Sequence, residues 1–420
     1  MKVSLPQLLW YGNTTLEMDL PDDWDVEICP MRGAKRKPLS VKEMEDAIHN
    51  PIGSPRVKDL AKNKKTAVII FDDITRPTRV DEIAPLVIRE LTAGGIDEED
   101  ITFVCALGTH GAHTFHEFRK KLGTEIVEKF RVFNHNIYEN CVEVGTTSRG
   151  TKLMVNREFA QADVKVGIGC VTAHAQVGFS GGGKIILPGI SHIDSITHYH
   201  LDVEAMDPDS TGLGKFDHNV LRFDIEEAAK LSGLDFKVDV IVNDRGETTA
   251  VFAGDVLEEH AQAVKLAKDI YATEPRPRGK DLAIANAFAK PNEMSIAIGL
   301  GFLSTLSPPN EKKNSEPPKK GKVVVIADAP EGQIVHYLLG RWGRNYGGRQ
   351  YPVWNLPSDL VDVIVMAPHL NKNFGDWVGN PEVITWCRDW ESTMDLLKES
   401  LGAGTKVAVL PTATMQYFES

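Results

Sequence analysis

The chain has 420 residues and a formal net charge of -12, with 42% hydrophobic and 25% charged residues. This length predicts two or three domains, and the composition is typical of a globular protein with packed cores. The acidic balance argues against a general nucleic-acid binder and favours simple solubility. No apolar run approaches the length that crosses a bilayer, and residues 1–30 lack the basic start and apolar run of a signal peptide.

Cysteine usage indicates a reducing compartment. The five cysteines form no C-x-x-C pair, and their number is odd. Because disulfide frameworks and thiolate zinc sites use paired cysteines, we expect neither. The protein is therefore predicted to be cytoplasmic, with no membrane partner.

Apolar runs rich in valine and isoleucine alternate along the chain with segments of helical spacing. The first strands are predicted at 66–71, 101–107, 163–171 and 236–242, with a helix over 80–94. Prolines and charges at 273–280 predict a linker, and a polar, proline-rich loop is expected at 308–321. Further strands are predicted at 281–285, 322–326, 361–365 and 406–410. The alternation predicts βαβ units and two α/β domains, over 1–272 and 273–420, with mainly parallel sheets.

Polar motifs follow three of the predicted strands. They occupy residues 72–77, 108–110 and 172–174, each directly after a strand. Open α/β sheets bind their ligands beyond the carboxyl ends of the strands, and pockets often form at domain junctions. The three motifs therefore predict one convergent site in a cleft between the domains.

The densest motif is the glycine-rich segment that ends at Lys184. Residues 174–184 contain a histidine, four glycines, a serine and a lysine. The segment nearly matches a P-loop, but Ile185 replaces the hydroxyl that holds magnesium, and Pro188 interrupts the helix that should follow. We therefore expect a phosphate-bearing ligand rather than an ordinary NTPase. The alternative is a glycine-rich turn with a solvated lysine.

Two histidines and one arginine near the strand ends are candidates for chemistry. Imidazoles at His110 and His174 suit proton transfer near neutral pH or a nickel, zinc or copper ion. Arg76 can hold a carboxylate or phosphate in a two-pronged grip. A structural interpretation of the same loop makes Asp73 or Thr75 the N-cap of the next helix. Solvated, capping or structural roles are expected for four other histidines: His113, His116, His192 and His198.

Taken together, these motifs resemble the lactate racemase family, the nickel-pincer-nucleotide enzymes. The similarity is carried by residues 73–77, 108–110 and 174–190 and by His200, and it is dense from about residue 50 to 260. It implies that the first domain binds the cofactor and carries out the reaction. The second domain, where the similarity is weak, would close over the substrate cleft.

The resemblance also implies a cofactor and a role for each site residue. The cofactor is nickel in a pincer nucleotide, a pyridinium-3,5-bisthiocarboxylic acid mononucleotide, joined covalently to Lys184. His200 would bind the nickel, and His110 and His174 would be the two acid/base groups. Arg76 and Lys290 would bind the substrate. The cofactor phosphate would be held by residues of two loops: Asp73, Thr75, Ser180, Gly181, Gly182 and Gly183.

The implied activity is racemisation or epimerisation at C2 of a 2-hydroxy acid, by reversible hydride transfer through a 2-keto acid. This chain departs from the family's pattern after His110, where Gly111 replaces an arginine. It also has Ala297 and Leu300 where a glutamine and a lysine usually contact the substrate. These changes point to a larger hydroxy acid or a sugar acid, such as an aldonate, rather than lactate. Cofactor-synthesis enzymes are the implied maturation partners, and a homo-oligomer is compatible with the sequence.

Two other classes of function remain open from the sequence. His110, His174 and His200 are compatible with a zinc- or nickel-dependent hydrolase. The glycine-rich segment is also compatible with a nucleotide-binding protein that has no catalytic activity.

Overall fold

The computed structural model describes residues 1–307, 320–339 and 355–419, without the side chains of Asp376 and Trp377. The chain divides into a central unit, Lys35–Asp269, and a terminal unit, formed by Met1–Ala34 together with Ile270–Ser420. Each unit combines helices with a mainly parallel sheet, which confirms the predicted α/β fold class. The loop predicted at 308–321 lies almost entirely outside the described residues.

The strands are numbered in chain order, beginning with the three of the N-terminal segment. The strands of the described residues are β1 (Lys2–Gln7), β2 (Thr14–Asp19), β3 (Asp25–Ile28), β4 (Ala67–Asp72), β5 (Ile101–Ala106), β6 (Arg131–Asn134), β7 (Cys141–Thr146), β8 (Lys152–Asn156), β9 (Val164–Cys170), β10 (Ala173–His174), β11 (Val177–Phe179), β12 (Gly212–Leu213), β13 (Phe236–Val242), β14 (Thr248–Gly254), β15 (Leu282–Asn286), β16 (Gly321–Ile326), β17 (Val361–Met366), β18 (Ile384–Cys387) and β19 (Lys406–Leu410).

Helices alternate with these strands. They are α1 (Val41–His49), α2 (Val57–Leu60), α3 (Val80–Ala93), α4 (Phe115–Leu122), α5 (Thr124–Lys129), α6 (Arg157–Gln161), α7 (Ile193–His198), α8 (Glu204–Met206), α9 (Val220–Ser232), α10 (Glu258–Ile270), α11 (Ser295–Thr305) and α12 (Trp390–Lys398). A π-helical turn, Tyr199–Val203, joins α7 to α8. Short 3-10 turns occupy Glu98–Asp100, Gly182–Ile185, Pro208–Ser210, Lys372–Trp377 and Pro381–Val383.

The central unit is built on a six-stranded sheet with the order β14-β13-β9-β4-β5-β6. Five of these strands are parallel, and β14 pairs antiparallel with β13. Every residue of β4 is buried, as expected for a parallel strand with both faces covered. Because β9, β4 and β5 are neighbours, the three polar motifs that follow them emerge at the same edge of the sheet.

The terminal unit contains a second six-stranded sheet, β18-β17-β16-β15-β19-β3, which is parallel throughout. Its edge strand β3 comes from the N-terminal segment and pairs with β19. Residues 1–34 were expected in the first domain, whereas the structure places them here. The physical reason is this strand pairing, together with the packing of Leu5 and Met18 into the core of this unit beside Leu282. The predicted boundary at 272 lies close to the observed division after Asp269.

Two further observations concern membranes and cysteines. None of the helices in the described residues has both the length and the apolar character needed to span a bilayer. All five cysteines are free thiols, and four of them are buried.

Candidate active site

The loop after β4 holds a carboxylate against the first candidate histidine. Oδ2 of Asp73 lies 2.5 Å from Nδ1 of His110, and Oδ1 accepts hydrogen bonds from the Thr75 N–H at 3.0 Å and its hydroxyl at 2.5 Å. Burial opposes ionisation of Asp73, but the electrostatic interaction and hydrogen bond with the His110 ring outweigh it, so the pKa of this carboxyl lies well below its ordinary value. The pair is therefore an ionised carboxylate that orients an imidazole.

These contacts change the interpretation of two residues predicted to bind the cofactor phosphate. Both oxygens of Asp73 are occupied, and its negative charge would repel a phosphate. The Thr75 hydroxyl is buried, donates to Asp73 and accepts from the Arg76 guanidinium at 2.9 Å. The alternative in which Asp73 or Thr75 caps the next helix is wrong, because α3 begins at Val80 and Arg79 occupies the N-cap.

Two buried residues outside the predicted motif support this loop. Lys121 pairs with Asp72 at 2.8 Å and donates to the Arg76 carbonyl at 2.7 Å. Nε2 of His113 accepts the N–H of Ile74 at 3.0 Å. His113 was expected to be solvated or capping, whereas the structure makes it a support of the loop. No local pattern marks Lys121, which lies on an otherwise amphipathic helix.

The loop after β5 reaches the segment that follows Lys184. The Gly108 N–H donates to the Gly189 carbonyl at 2.8 Å, and the positive φ of Gly108, 53°, turns the chain toward His110. A Cβ built on Gly108 would lie 3.5 Å from Pro188. The structure thus brings the predicted 108–110 and 174–190 motifs together.

His174 lies on a short hairpin with the start of the glycine-rich segment. It occupies β10 opposite Gly178 of β11, and its Nδ1 accepts the N–H of Gln176 at 3.2 Å. The Gln176 carbonyl accepts from the Asn219 side chain at 2.8 Å and from the Gly212 N–H at 2.9 Å. Nδ1 of the second candidate histidine is therefore held by a backbone donor.

The glycine-rich loop is anchored from below by buried polar side chains. Gly182 N–H donates to Oδ2 of Asp239 at 2.6 Å, and Nε2 of His260 donates to the Ser180 carbonyl at 2.9 Å. The Arg222 guanidinium donates to the Phe179 carbonyl at 2.5 Å. These contacts fix the path of the loop through three elements that lie far away in sequence.

Close packing explains why this loop contains consecutive glycines. A Cβ on Gly182 would lie 2.6 Å from the His260 ring, and one on Gly183 would lie 2.8 Å from the Ile225 carbonyl. The glycines were predicted to bring N–H groups to a phosphate. The structure instead commits two of the loop's N–H groups internally, because Ser180 N–H donates to the Thr172 carbonyl and Gly182 N–H to a carboxylate. Among the contacts of the described residues, the N–H groups of Gly181 and Gly183 are the ones left for the predicted phosphate contact.

Two buried cations and one buried carboxylate that pairs with one of them lie beneath the loop. Lys237 and Asp239 form a fully buried ion pair at 2.5 Å, and Arg222 adds a second buried cation. Glu259 is also fully buried, and burial followed by the neighbouring Asp239 charge raises its pKa well above the ordinary value, which favours its neutral form. The buried cations Lys237 and Arg222 would both attract an anion bound at the loop. The sequence carried a signal here, since Lys237 and Asp239 alternate on one face of an otherwise apolar strand.

His200 lies in the π-helical turn and is mostly buried, and π-turns within helices often mark functional sites. Nδ1 of its ring lies 2.8 Å from the Ile196 carbonyl, so Nδ1 carries the proton and Nε2 carries a lone pair. Burial lowers the pKa of His200 to about 4, and the charge of Lys184 contributes to this shift. A neutral imidazole therefore lies within electrostatic range of Lys184, which is the arrangement a metal ligand beside a tethered cofactor requires.

The remaining predicted site residue and the predicted bystanders are placed as follows. Lys290 lies in the terminal unit and is nearly completely buried, with its N–H donating to the Thr414 hydroxyl at 3.2 Å. His192 caps α7 by accepting the Asp194 N–H, and His198 contacts the Thr151 hydroxyl at 2.9 Å.

Within the described residues, no three or more His, Cys, Asp or Glu side chains form a metal-binding group. His110, His174 and His200 thus do not make a three-ligand site.

Comparisons with known proteins find similarity to lactate racemases. A family model described as the lactate racemase N-terminal domain matches residues 11–212. A lactate racemase from Thermoanaerobacterium thermosaccharolyticum is 30% identical over 290 residues, which cover 68% of this chain and 67% of that protein. A lactate racemase from Lactiplantibacillus plantarum is 26% identical over 376 residues, covering 87% and 83%.

Solved structures show the same fold. The lactate racemase apoprotein from Thermoanaerobacterium thermosaccharolyticum matches with a TM-score of 0.72 at 22% identity, over 100% of both chains. A crystal structure of a protein from Thermotoga maritima matches with a TM-score of 0.63 at 18% identity, over 91% of this chain and 99% of that one.

Proposed function

The chain belongs to the lactate racemase family and is an isomerase of the racemase or epimerase class, and on this basis we propose that it inverts C2 of a 2-hydroxy acid with a nickel-pincer nucleotide. The observation that carries the proposal is the mostly buried His200, whose Nδ1 lies 2.8 Å from the Ile196 carbonyl, so that Nε2 carries a lone pair within electrostatic range of Lys184. A shielded imidazole with its lone pair on Nε2 is a good ligand for a borderline metal ion. Besides this imidazole, the protein then needs a second group that fixes the cofactor near His200.

The residues around the glycine-rich loop fit such a cofactor. We assign Lys184 as the covalent attachment point and His200 as the single protein ligand of nickel. The phosphate would meet Gly181 and Gly183, where the buried cations Lys237 and Arg222 would attract it. Arg222 supports this assignment, because its buried Nε has no hydrogen-bond partner within the described residues. When bound, the cofactor supplies a reversible hydride acceptor for the substrate's C2–H.

Proton transfer is assigned to the two candidate histidines. His110 removes the proton of the substrate hydroxyl at Nε2, and Asp73 on Nδ1 stabilises the imidazolium that results. His174 interacts with the substrate oxygen from the hairpin that precedes the glycine-rich loop. Asp73 and Thr75 are thus proposed to orient the base and Arg76, rather than to bind phosphate.

The substrate's carboxylate is assigned to Arg76, whose guanidinium is oriented by the Thr75 hydroxyl. Lys290 is proposed as a further substrate contact. Gly111, Ala297 and Leu300 remove side chains that the family's lactate-specific members carry, so we propose a larger hydroxy acid or a sugar acid as substrate. We further propose that cofactor-synthesis enzymes load the chain in the cytoplasm, where its free thiols stay reduced.

The test begins with protein co-produced with enzymes that make the cofactor. Nickel content, intact mass and isomer exchange should all be measured on the same preparation, with Lys184→Ala as the variant that lacks the amine. A panel of 2-hydroxy acids in deuterated water should show inversion with retention of the C2 hydrogen. An active preparation whose Lys184 carries no added mass would overturn the proposal, and so would washout of the C2 hydrogen into solvent.

A further inference from the structure

We propose that His110 and His174 are held in opposite neutral tautomers before substrate binds, so that Nε2 of His110 is a proton acceptor and Nε2 of His174 is a hydrogen-bond donor. The catalytic meaning of this asymmetry rests on the proposed function, but the tautomers themselves do not. They follow from what each Nδ1 contacts.

The tautomer of His110 is set by Asp73. An ionised carboxylate only accepts hydrogen bonds, so the 2.5 Å contact requires the proton of the neutral ring to be on Nδ1. Asp73 cannot turn away, because Thr75 donates to its other oxygen through both the backbone N–H and the hydroxyl. The lone pair of His110 is therefore on Nε2.

The tautomer of His174 is set by the backbone of Gln176. A backbone N–H only donates, so the 3.2 Å contact requires a lone pair on Nδ1 of His174 and the proton of the neutral ring on Nε2. Gln176 is held at its carbonyl by Asn219 and Gly212, and its side-chain amide donates to Glu204 at 3.0 Å. The Gln176 N–H is therefore held against Nδ1 of the His174 ring, and Gln176 acts as a positioning residue.

The two histidines consequently differ in what they can do. His110 gains a proton without losing its contact, because the imidazolium keeps Nδ1–H on Asp73. His174 can gain a proton only at Nδ1. The new N–H would then face the Gln176 N–H, and because both groups are donors the contact would break. Before substrate binds, Nε2 of His110 thus presents a lone pair and Nε2 of His174 presents an N–H.

The experiment is nitrogen NMR of the full chain with 15N-labelled histidine, which distinguishes protonated from unprotonated ring nitrogens. Signals are assigned with His110→Gln and His174→Gln. We expect Nδ1–H for His110 and Nε2–H for His174, each in about tenfold excess over the other tautomer. His200 is an internal reference for Nδ1–H, and His192 for Nε2–H.

Two matched substitutions test the cause. Gln176→Pro removes the backbone donor while Gln176→Ala keeps it, so only the proline variant should move His174 toward a mixture of tautomers. Asp73→Asn should convert His110 to Nε2–H, because the new amide donates to Nδ1. If His110 and His174 share one tautomer in the wild-type chain, the inference is wrong, even when the loaded enzyme racemises its substrate. The expected tautomers in a chain that, once loaded, inverts no hydroxy acid would instead contradict the proposed function alone.

Discussion

Asp239 accepts the backbone N–H of Gly182 at 2.6 Å and at the same time pairs with Lys237 at 2.5 Å, with both side chains fully buried. One carboxylate therefore neutralises an interior lysine and fixes the position of the glycine-rich loop. Because the same loop carries Lys184, Asp239 links the stability of the central unit to the placement of the proposed attachment point.

Substitution of Asp239 by alanine is expected to lower the free energy of unfolding by about 3–5 kcal/mol. It leaves Lys237 charged and unpaired in the interior and removes the acceptor of Gly182 N–H. Urea denaturation of the chain without cofactor measures the change. The control is Asp59→Ala, which breaks the exposed pair with Lys62 and should leave the stability nearly unchanged. A loss for Asp239→Ala as small as that of the control would contradict the prediction.

Gly182→Ala tests whether the loop glycines are required for packing. Gly182 has a φ of 56°, and its new Cβ would lie 2.6 Å from the His260 ring. Gly233 is the matched control, since it has a φ of 72° but no atom within 4 Å of the place its Cβ would take. Gly233→Ala should cost about 1 kcal/mol from backbone strain alone, and Gly182→Ala about 1–3 kcal/mol more from overpacking. Thermal unfolding of the two variants compares them, and equal melting temperatures would count against the packing explanation.

Arg76→Lys should raise the KM of the loaded enzyme for its hydroxy acid about tenfold or more, with a smaller change in kcat. Lysine keeps the charge but loses the planar, two-pronged grip on a carboxylate. Steady-state kinetics in both directions measure the changes in KM and kcat separately. Arg89→Lys is the control, because Arg89 is exposed and pairs with Glu45 on the surface. An unchanged KM would assign the substrate carboxylate to another residue.

Folding stability is expected to fall as the pH drops from about 6.5 toward 4, with His135 as one cause. Burial lowers the pKa of His135 to about 4, whereas an unfolded imidazole titrates near 6.5. In this window the unfolded chain binds the extra proton, so the stabilisation is complete above about pH 6.5 and is lost on acidification by about 1.4 kcal/mol per pH unit.

His135→Gln should therefore reduce the slope of unfolding free energy against pH between 6.5 and 4. His116→Gln removes an exposed imidazole and serves as the control. The measurement is urea denaturation at several pH values for the three proteins. Parallel curves for wild type and His135→Gln would show that this histidine does not contribute to the pH dependence.

Local pattern was enough to place most strands of the two sheets. The prediction over 236–242 coincides with β13, and the one over 406–410 coincides with β19, because long apolar runs specify buried parallel strands whatever their partners. Pattern did not reveal that β3 completes the terminal sheet beside β19, since the pairing joins segments about 380 residues apart and leaves no local trace.

For the candidate site, too, some features followed from the sequence and others only from the folded structure. The order of residues along the chain was sufficient to predict that the motifs with Arg76, His110 and His174 follow strand ends at one edge of a sheet. The folded arrangement was needed to show that Asp73 contacts His110, and that Asp239 accepts the N–H of Gly182. The reason is that the sequence determines which residue types are available to a site, whereas packing between distant segments determines the hydrogen-bond partner of each buried polar group.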